Sequence, residues 1–346
     1  MKLYKQIIFI LIVFLKTETL LSKNNLFSVN NIQIEKNNKL SNNKLANKAI
    51  KIGFEQLISK ILLKDDIKKI SNLNFADVKE LVTYYQISNI TNEKNEELVS
   101  FSITFDKDKI HNLFYSRGLS YSEILDKEIY VLPILIKKNE FFVFNNNFFY
   151  DNWNEIYEND LIEFILPIEN IEIIENINKV KNDLINLNIE SIFKEYAKKN
   201  LALILIEDNN INKKVYLKIK VQGKKISKGL NFKKQSEEMN NFNERILSVS
   251  KEEIINLIKS ENLIDIRTPS FLNVKLNLSK KTSLVEFNSR IKKIDLIENI
   301  YVQEFNKDYM LLRIKYLGKL KRIINQLKNS NIDLKMVNDA WEIKIL

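Results

Sequence analysis

The side chains able to do chemistry are few, and their spacing is informative. His111 is the single histidine, and it follows Asp106 and Asp108 on one predicted helix. A histidine can act as a general base near neutral pH. No serine or cysteine nucleophile motif accompanies it, and the two carboxylates suit the positive end of a helix dipole. Paired carboxylates stand at Asp65–Asp66, Glu96–Glu97, Glu237–Glu238 and Glu252–Glu253. A glycoside hydrolase needs two carboxylates about 5–10 Å apart across a cleft. Sequence neighbours diverge on a strand or a helix, so solvated turns and helix faces account for these pairs. The chain has 0 Cys, which removes disulfides, thiolate zinc sites and thiol nucleophiles. Gly53, Gly118, Gly223, Gly229 and Gly318 are scattered, with no phosphate-cradling spacing. No catalytic residue, cofactor site or metal site is assigned, and the balance leans away from an enzyme.

The densest aromatic stretch is different in kind. Phe141, Phe142, Phe144, Phe148, Phe149, Tyr150, Trp153 and Tyr157 fall within Glu140–Tyr157, interrupted by Asn145–Asn147. Unpaired buried amides cost roughly 1–3 kcal/mol each, so three in a row argue that the chain leaves a sheet there. Trp153 is expected as a buried anchor. At least one of Phe148, Phe149 and Tyr150 is expected to stay exposed as a partner contact, because aromatics enrich interfaces. Trp341, on the last strand, reads as core.

The elements that must carry these residues form three segments, with 45% hydrophobic and 28% charged residues to build them. Residues 24–147 read as strand, helix, paired strands, helix, strand, an α+β domain. The first helix begins at Ser41 or Asn43 and has a 3.6-residue apolar period through Leu45, Ala49, Leu57 and Ile61. Thr83–Ile90 and Glu97–Thr104 form a hairpin; Lys107–Tyr115 is a helix closed by Gly118. Residues 148–264 give a middle α+β segment. It holds a strand over Leu161–Ile168, a helix over Ile189–Lys199, a hairpin around Asp208–Asn212 and a long helix over Glu237–Leu263. Residues 269–346 read β-α-β-β-α-β with a terminal hairpin at Asn338–Asp339, a ferredoxin-like arrangement. The fold class is α+β, built of several small modules.

Residues 1–22 place Lys2 and Lys5 before the apolar run Ile7–Leu15. A membrane-spanning helix needs about 20 apolar residues, whereas a secretory h-region takes about 7–15. A signal peptide or an uncleaved N-terminal anchor is therefore expected, with membrane contact confined to it and the body in the periplasm. The formal net charge is +10, from 54 Lys+Arg against 44 Asp+Glu. Lys, Asn and Ile have AT-rich codons, and the lysines are interspersed with acids. A nucleic-acid partner is not expected, while an anionic envelope polymer remains a candidate.

The runs KAIKIGFEQLISKIL (Lys48–Leu62), VTYYQI (Val82–Ile87), VSFSITFDKDKIHNLFYSRGLSYSEI (Val99–Ile124), VLPILIKKNEFFVFNNNFFYDNW (Val131–Trp153) and LIEFILPIENIEII (Leu161–Ile174) occur in that order. Together they resemble an exported proteobacterial family known as domain of unknown function 2066. The resemblance covers roughly Leu26–Glu207. It departs from the family pattern at Lys60 and Phe144, where Arg and Trp are common. It implies an envelope protein of a Gram-negative bacterium and implies no reaction. The function expected is non-catalytic binding of another envelope protein, or assembly. The alternatives are a carboxylate hydrolase and a lysine-mediated binder of anionic envelope polymer.

Overall fold

A computed structural model describes residues 25–35, 41–91, 97–124, 126–156, 161–179, 188–209, 211–278, 282–337 and 340–346. The expected export segment, Tyr157 and the Asn338–Asp339 turn lie outside these residues. The chain divides into two compact units, one within Met1–Lys60 and Asp65–Leu119, the other within Ile61–Lys64 and Ser120–Leu346.

In the first unit, β1 (Ser28–Glu35), β2 (Val82–Thr91) and β3 (Glu97–Phe105) form an antiparallel sheet in the order β1-β3-β2. Helix α1 (Asn42–Ile61) buries Leu45, Ala49, Ile50, Phe54, Leu57 and Ile58. Gly53 marks where it approaches the sheet: a Cβ there would stand 2.9 Å from Ile32 Cδ1 and 3.1 Å from Ile103 Cδ1. Helix α2 (Phe75–Glu80) is capped by Asn74, whose side chain accepts from the Asp77 N–H. Helix α3 (Lys107–Arg117) starts at Asp106, whose carboxylate accepts the N–H groups of Asp108 and Lys109. It ends at Gly118 in the left-handed region, φ 64°. Strand β2 is the sheet edge and leaves Thr83 to Asn89 exposed on both faces.

The second unit contains a mixed six-stranded sheet. Its strands are β5 (Glu128–Lys137), β6 (Glu140–Phe142), β7 (Glu163–Ile165), β8 (Leu201–Asn209), β9 (Asn212–Val221) and β10 (Lys224–Lys233). The order is β10-β9-β8-β5-β6, with β7 also on β5. Strands β5 and β8 pair in parallel from Tyr130↔Leu201 to Lys137↔Asp208. Both are near-continuous apolar runs, because both of their faces are buried. On one face, helix α7 (Met239–Glu261) packs Phe242, Ile246, Leu247, Ile254 and Ile258 against Val131, Ile204 and Leu217. Helix α4 (Phe148–Asp151) contributes Phe149 to the same core. On the other face, helices α5 (Ile171–Lys179) and α6 (Ile189–Ile192) cover Leu132, Ile134, Leu203 and Leu205. A two-stranded ladder joins β4 (Tyr121–Ser122) to β11 (Leu263–Ile264).

The expected boundary near residue 147 is not where the units divide. Strand β5 and its hairpin partner β6 belong to the second unit, since the parallel ladder with β8 ties them there. The apolar stretch Leu161–Ile168 is a strand only over Glu163–Ile165, and Pro167, without an N–H to give, follows its end. The expected helix Ile189–Lys199 breaks at Phe193 into α6 and a 3₁₀ turn over Lys194–Tyr196. Strand β10 and helix α5 were not expected from the sequence.

The C-terminal elements follow the expected order: β12 (Ser270–Asn277), α8 (Thr282–Ile291), β13 (Ile297–Phe305), β14 (Tyr309–Tyr316), α9 (Leu320–Asn329), β15 (Ile332–Val337) and β16 (Ala340–Ile345). The sheet has five strands in the order β13-β14-β12-β16-β15. Strand β16 lies parallel to β12 and separates it from β15, so the sheet departs from the expected four-stranded ferredoxin-like order by one inserted strand. Leu272, Val274, Leu276, Met310, Leu312, Ile314 and Ile343 line the buried face, with Phe287, Ile291, Ile323 and Leu327 from the two helices. The other face carries Phe271, Tyr301 and Arg313 and is exposed. Among the described residues, no helix is long and apolar enough to cross a membrane.

Candidate functional site

The aromatic stretch is organised by one amide. Asn147 is 0% exposed. Its Nδ2 lies 2.9, 3.0 and 2.8 Å from the carbonyl oxygens of Pro133, Phe142 and Val143. Its Oδ1 accepts the N–H groups of Phe149 and Tyr150, capping α4. Asn146 takes the left-handed turn conformation, φ 56°, and the Asn145 amide donates to Glu169 Oε1 at 3.1 Å. The three consecutive amides therefore have three jobs: a clamp on Glu169, a turn and a buried cap.

This arrangement decides the fate of the expected contact residues. Trp153 is fully buried, set edge-on against Phe164 at 5.8 Å between ring centroids. Phe149 is core, while Phe148 and Tyr150 are half-buried. The expectation that one of the three protrudes is not met, because the short helix they occupy is wedged between the sheet and α7. Phe148 and Phe149 pack toward the α7 side of the sheet. Tyr150 packs toward the α5–α6 side, edge-on to Phe144 at 5.2 Å.

Tyr150 has a second role. Its hydroxyl donates to the Pro167 carbonyl at 2.8 Å. Burial, and then the Glu169 and Asp151 carboxylates, push its pKa up and keep the phenol protonated. It thereby holds the loop that forms one wall of a cleft of about 200 Å³. That wall is Pro167–Asn170 and the first turn of α5; the other is Ile192–Tyr196. Ile173, Ile192 and Phe193 are buried beneath it. Lys194 Nζ meets Glu172 Oε1 at 2.5 Å across the opening. On this side Ile168 is 86% exposed and Ile171 is 74% exposed. The cleft is smaller than the roughly 300–1,000 Å³ of small-molecule sites and matches a single inserted side chain.

Glu172 at its rim is set as an ion-pair partner, not as a general acid. The hydrogen bond and charge of Lys194 hold Glu172 below the usual carboxylate range, whereas a general acid must be raised. Members of the other carboxylate pairs sit on cations of their own. Lys69 reaches Asp66 at 2.6 Å, Arg245 reaches Glu237 at 2.7 Å, Lys64 reaches Glu252 at 2.8 Å and Lys228 reaches Glu253 at 2.5 Å. The side chains of Glu96 and Glu97 lie outside the described residues. His111 is buried on α3, edge-on to Phe27 at 5.6 Å. Trp341 is half-buried on β16.

Sequence reasoning missed the cleft, although signals for it were present. Pro167 breaks the strand, and Asn170 accepts the Glu172 N–H at 2.8 Å to begin a helix whose buried residues, Ile173 and Ile177, are four apart. Buried lysines were missed too. Lys213 Nζ lies 2.5 Å from Asn243 Oδ1 and 3.2 Å from Asp208 Oδ2, between the Phe149 and Phe242 rings. Burial pushes this amine down, and Asp208 opposes the shift. Lys251 donates to the Ile156 carbonyl at 2.6 Å beside Trp153 and Phe164. Burial lowers it to about 8.

No family model matches the chain, and no curated protein matches it. Among solved structures, the crystal structure of an uncharacterized protein aligns over 41% of this chain and 95% of its own at 10% identity, with a TM-score of 0.18, below the level of a shared fold.

Proposed function

We propose that the chain is an exported envelope protein that binds another protein without catalysing a reaction, and that the cleft beside Tyr150 receives the partner. The observation carrying this reading is the pair Ile168 and Ile171, 86% and 74% exposed beside a cleft with an apolar floor. Two large aliphatic side chains held in water next to a side-chain-sized recess are suited to an interface anchor, where burial of a few residues supplies most of the affinity. The position of Lys2 and Lys5 before Ile7–Leu15, and the resemblance to an exported family, support the envelope location.

The test is affinity capture of the tagged full-length chain from membrane and periplasmic fractions, compared with an Ile168→Ser/Ile171→Ser variant. Both residues are exposed, so the variant should keep the wild-type melting temperature while losing at least tenfold of the captured partner. Equal capture by both chains removes the cleft from the interface. Recovery of the chain only in the cytoplasmic fraction rejects the envelope assignment.

A further inference from the structure

The hairpin Asn212–Lys233 contains eight lysines and no aspartate or glutamate. The sheet sorts them. Lys213 is buried. Lys224 and Lys228 pair with Glu261 and Glu253 of α7. The remaining five, Lys214, Lys218, Lys220, Lys225 and Lys233, fall on the opposite face of β9 and β10, as the register Lys225↔Lys220, Ser227↔Lys218, Asn231↔Lys214 and Lys233↔Asn212 requires. Helices α5 and α6 cover this face over β5 and β8 and reach Tyr216 on β9. Beyond that, every residue of β10 on this face is exposed. Among the described residues, two carboxylates face the group: Glu190, which bridges Lys220 and Lys225, and Glu207, across the ladder from Lys214. Like charges directly opposite one another, as at Lys220 and Lys225, disfavour the sheet. Lysines therefore outnumber the described carboxylates on this strip, which is exposed along β10 and at Lys214 and half-buried at Lys218 and Lys220.

We infer that this face of β9 and β10 binds an acidic polysaccharide. The charge excess selects a polyanion. Side chains on one face of a strand recur about every 7 Å, so the lysines meet charges repeated along an extended chain. In the middle of the strip Gly229 stands opposite Tyr216, where a Cβ would come 4.0 Å from Tyr216 Cδ1. The glycine leaves the tyrosine ring uncovered by its cross-strand neighbour. A pyranose ring packs on such an aromatic surface, and Ser227 and Asn231 on either side offer hydrogen bonds to its hydroxyls. One ring is too few to stack successive bases, which is how single-stranded nucleic acids are held. This surface is separate from the Ile168–Ile171 cleft and does not depend on it.

The experiment titrates the full chain with a fluorescent oligouronate, with a neutral dextran of equal length and with oligo-dT of equal charge. The oligouronate should bind, the dextran should not, and oligo-dT should bind at least fivefold more weakly. With about three ion pairs, raising salt fourfold should weaken uronate binding by roughly 10- to 50-fold. The triple variant Lys214→Gln/Lys218→Gln/Lys225→Gln should lose at least tenfold. A control triple, Lys307→Gln/Lys321→Gln/Lys328→Gln, removes the same charge from the C-terminal module and should change binding less than twofold. If the first triple melts early, Lys214→Gln/Lys225→Gln, both at exposed positions, carries the comparison. Absence of uronate binding at low salt, equal loss in the control triple, or oligo-dT binding as tightly as uronate each overturns the inference.

Discussion

At the scale of residues, Asn147 shows how a polar side chain earns a fully buried place. Its amide group lies against three carbonyls and its oxygen caps a helix, so both ends are satisfied. Asn147→Ala should destabilise the second unit by about 2–4 kcal/mol in urea unfolding, through the lost cap and the stranded carbonyls. Asn147→Asp is the sharper test. Aspartate caps helices as well as asparagine does, but here its second oxygen would face three carbonyl oxygens. The aspartate variant should be at least as unstable as the alanine variant; near-wild-type stability would reduce Asn147 to a helix cap.

The buried lysines give a pH signature. Burial lowers both Lys251 and Lys259 from 10.5 to about 8. Between about 8 and 10.5 the folded chain then binds fewer protons than the unfolded chain, so stability rises with pH across that window. Below the folded value both lysines are charged and the penalty is fully present. The urea midpoint should therefore be higher at about pH 9.5 than at about pH 7.5. Lys251→Met should shrink that increase. An unchanged increment in the variant would mean that Lys251 titrates normally in the folded chain.

At the scale of elements, the clearest local signals gave the best boundaries. The Asp106 cap and Gly118 stop delimit α3, and Tyr309–Tyr316 and Leu320–Asn329 stand where their periodicities place them. The weak points were elements whose identity depends on neighbours. Strand β10 carries Lys, Ser, Gly and Asn on one face and reads as a loop until β9 supplies its ladder. The C-terminal sheet has a core of its own on one face, so a fragment of residues 269–346 should unfold in a single cooperative transition. The fragment gives up the ion pair of Arg322 with Glu123, at 2.7 Å and mostly buried. It should consequently melt below the intact second unit. A disordered fragment, by near-ultraviolet dichroism and amide dispersion, would show that the sheet depends on that contact.

At the scale of the molecule, composition and periodicity were enough for an α+β chain with several small modules. The hairpins are joined by short polar turns, and the helices carry apolar faces that need a sheet to cover. The partner of each strand was not legible. Strands β5 and β8 are similar apolar runs, and their parallel ladder crosses about seventy residues of chain. That pairing, rather than the aromatic stretch, moved the expected boundary. The same holds for β16, which has a strand's pattern in any position and lies between β12 and β15 only by its ladders. The cleft and the lysine strip are of this kind. A strand's alternation assigns its lysines to a face, and packing decides which face stays open. Local propensity acts over a few residues and is written in the order of the chain. Exposure is a property of what folds back over each face, and only the tertiary structure decides it.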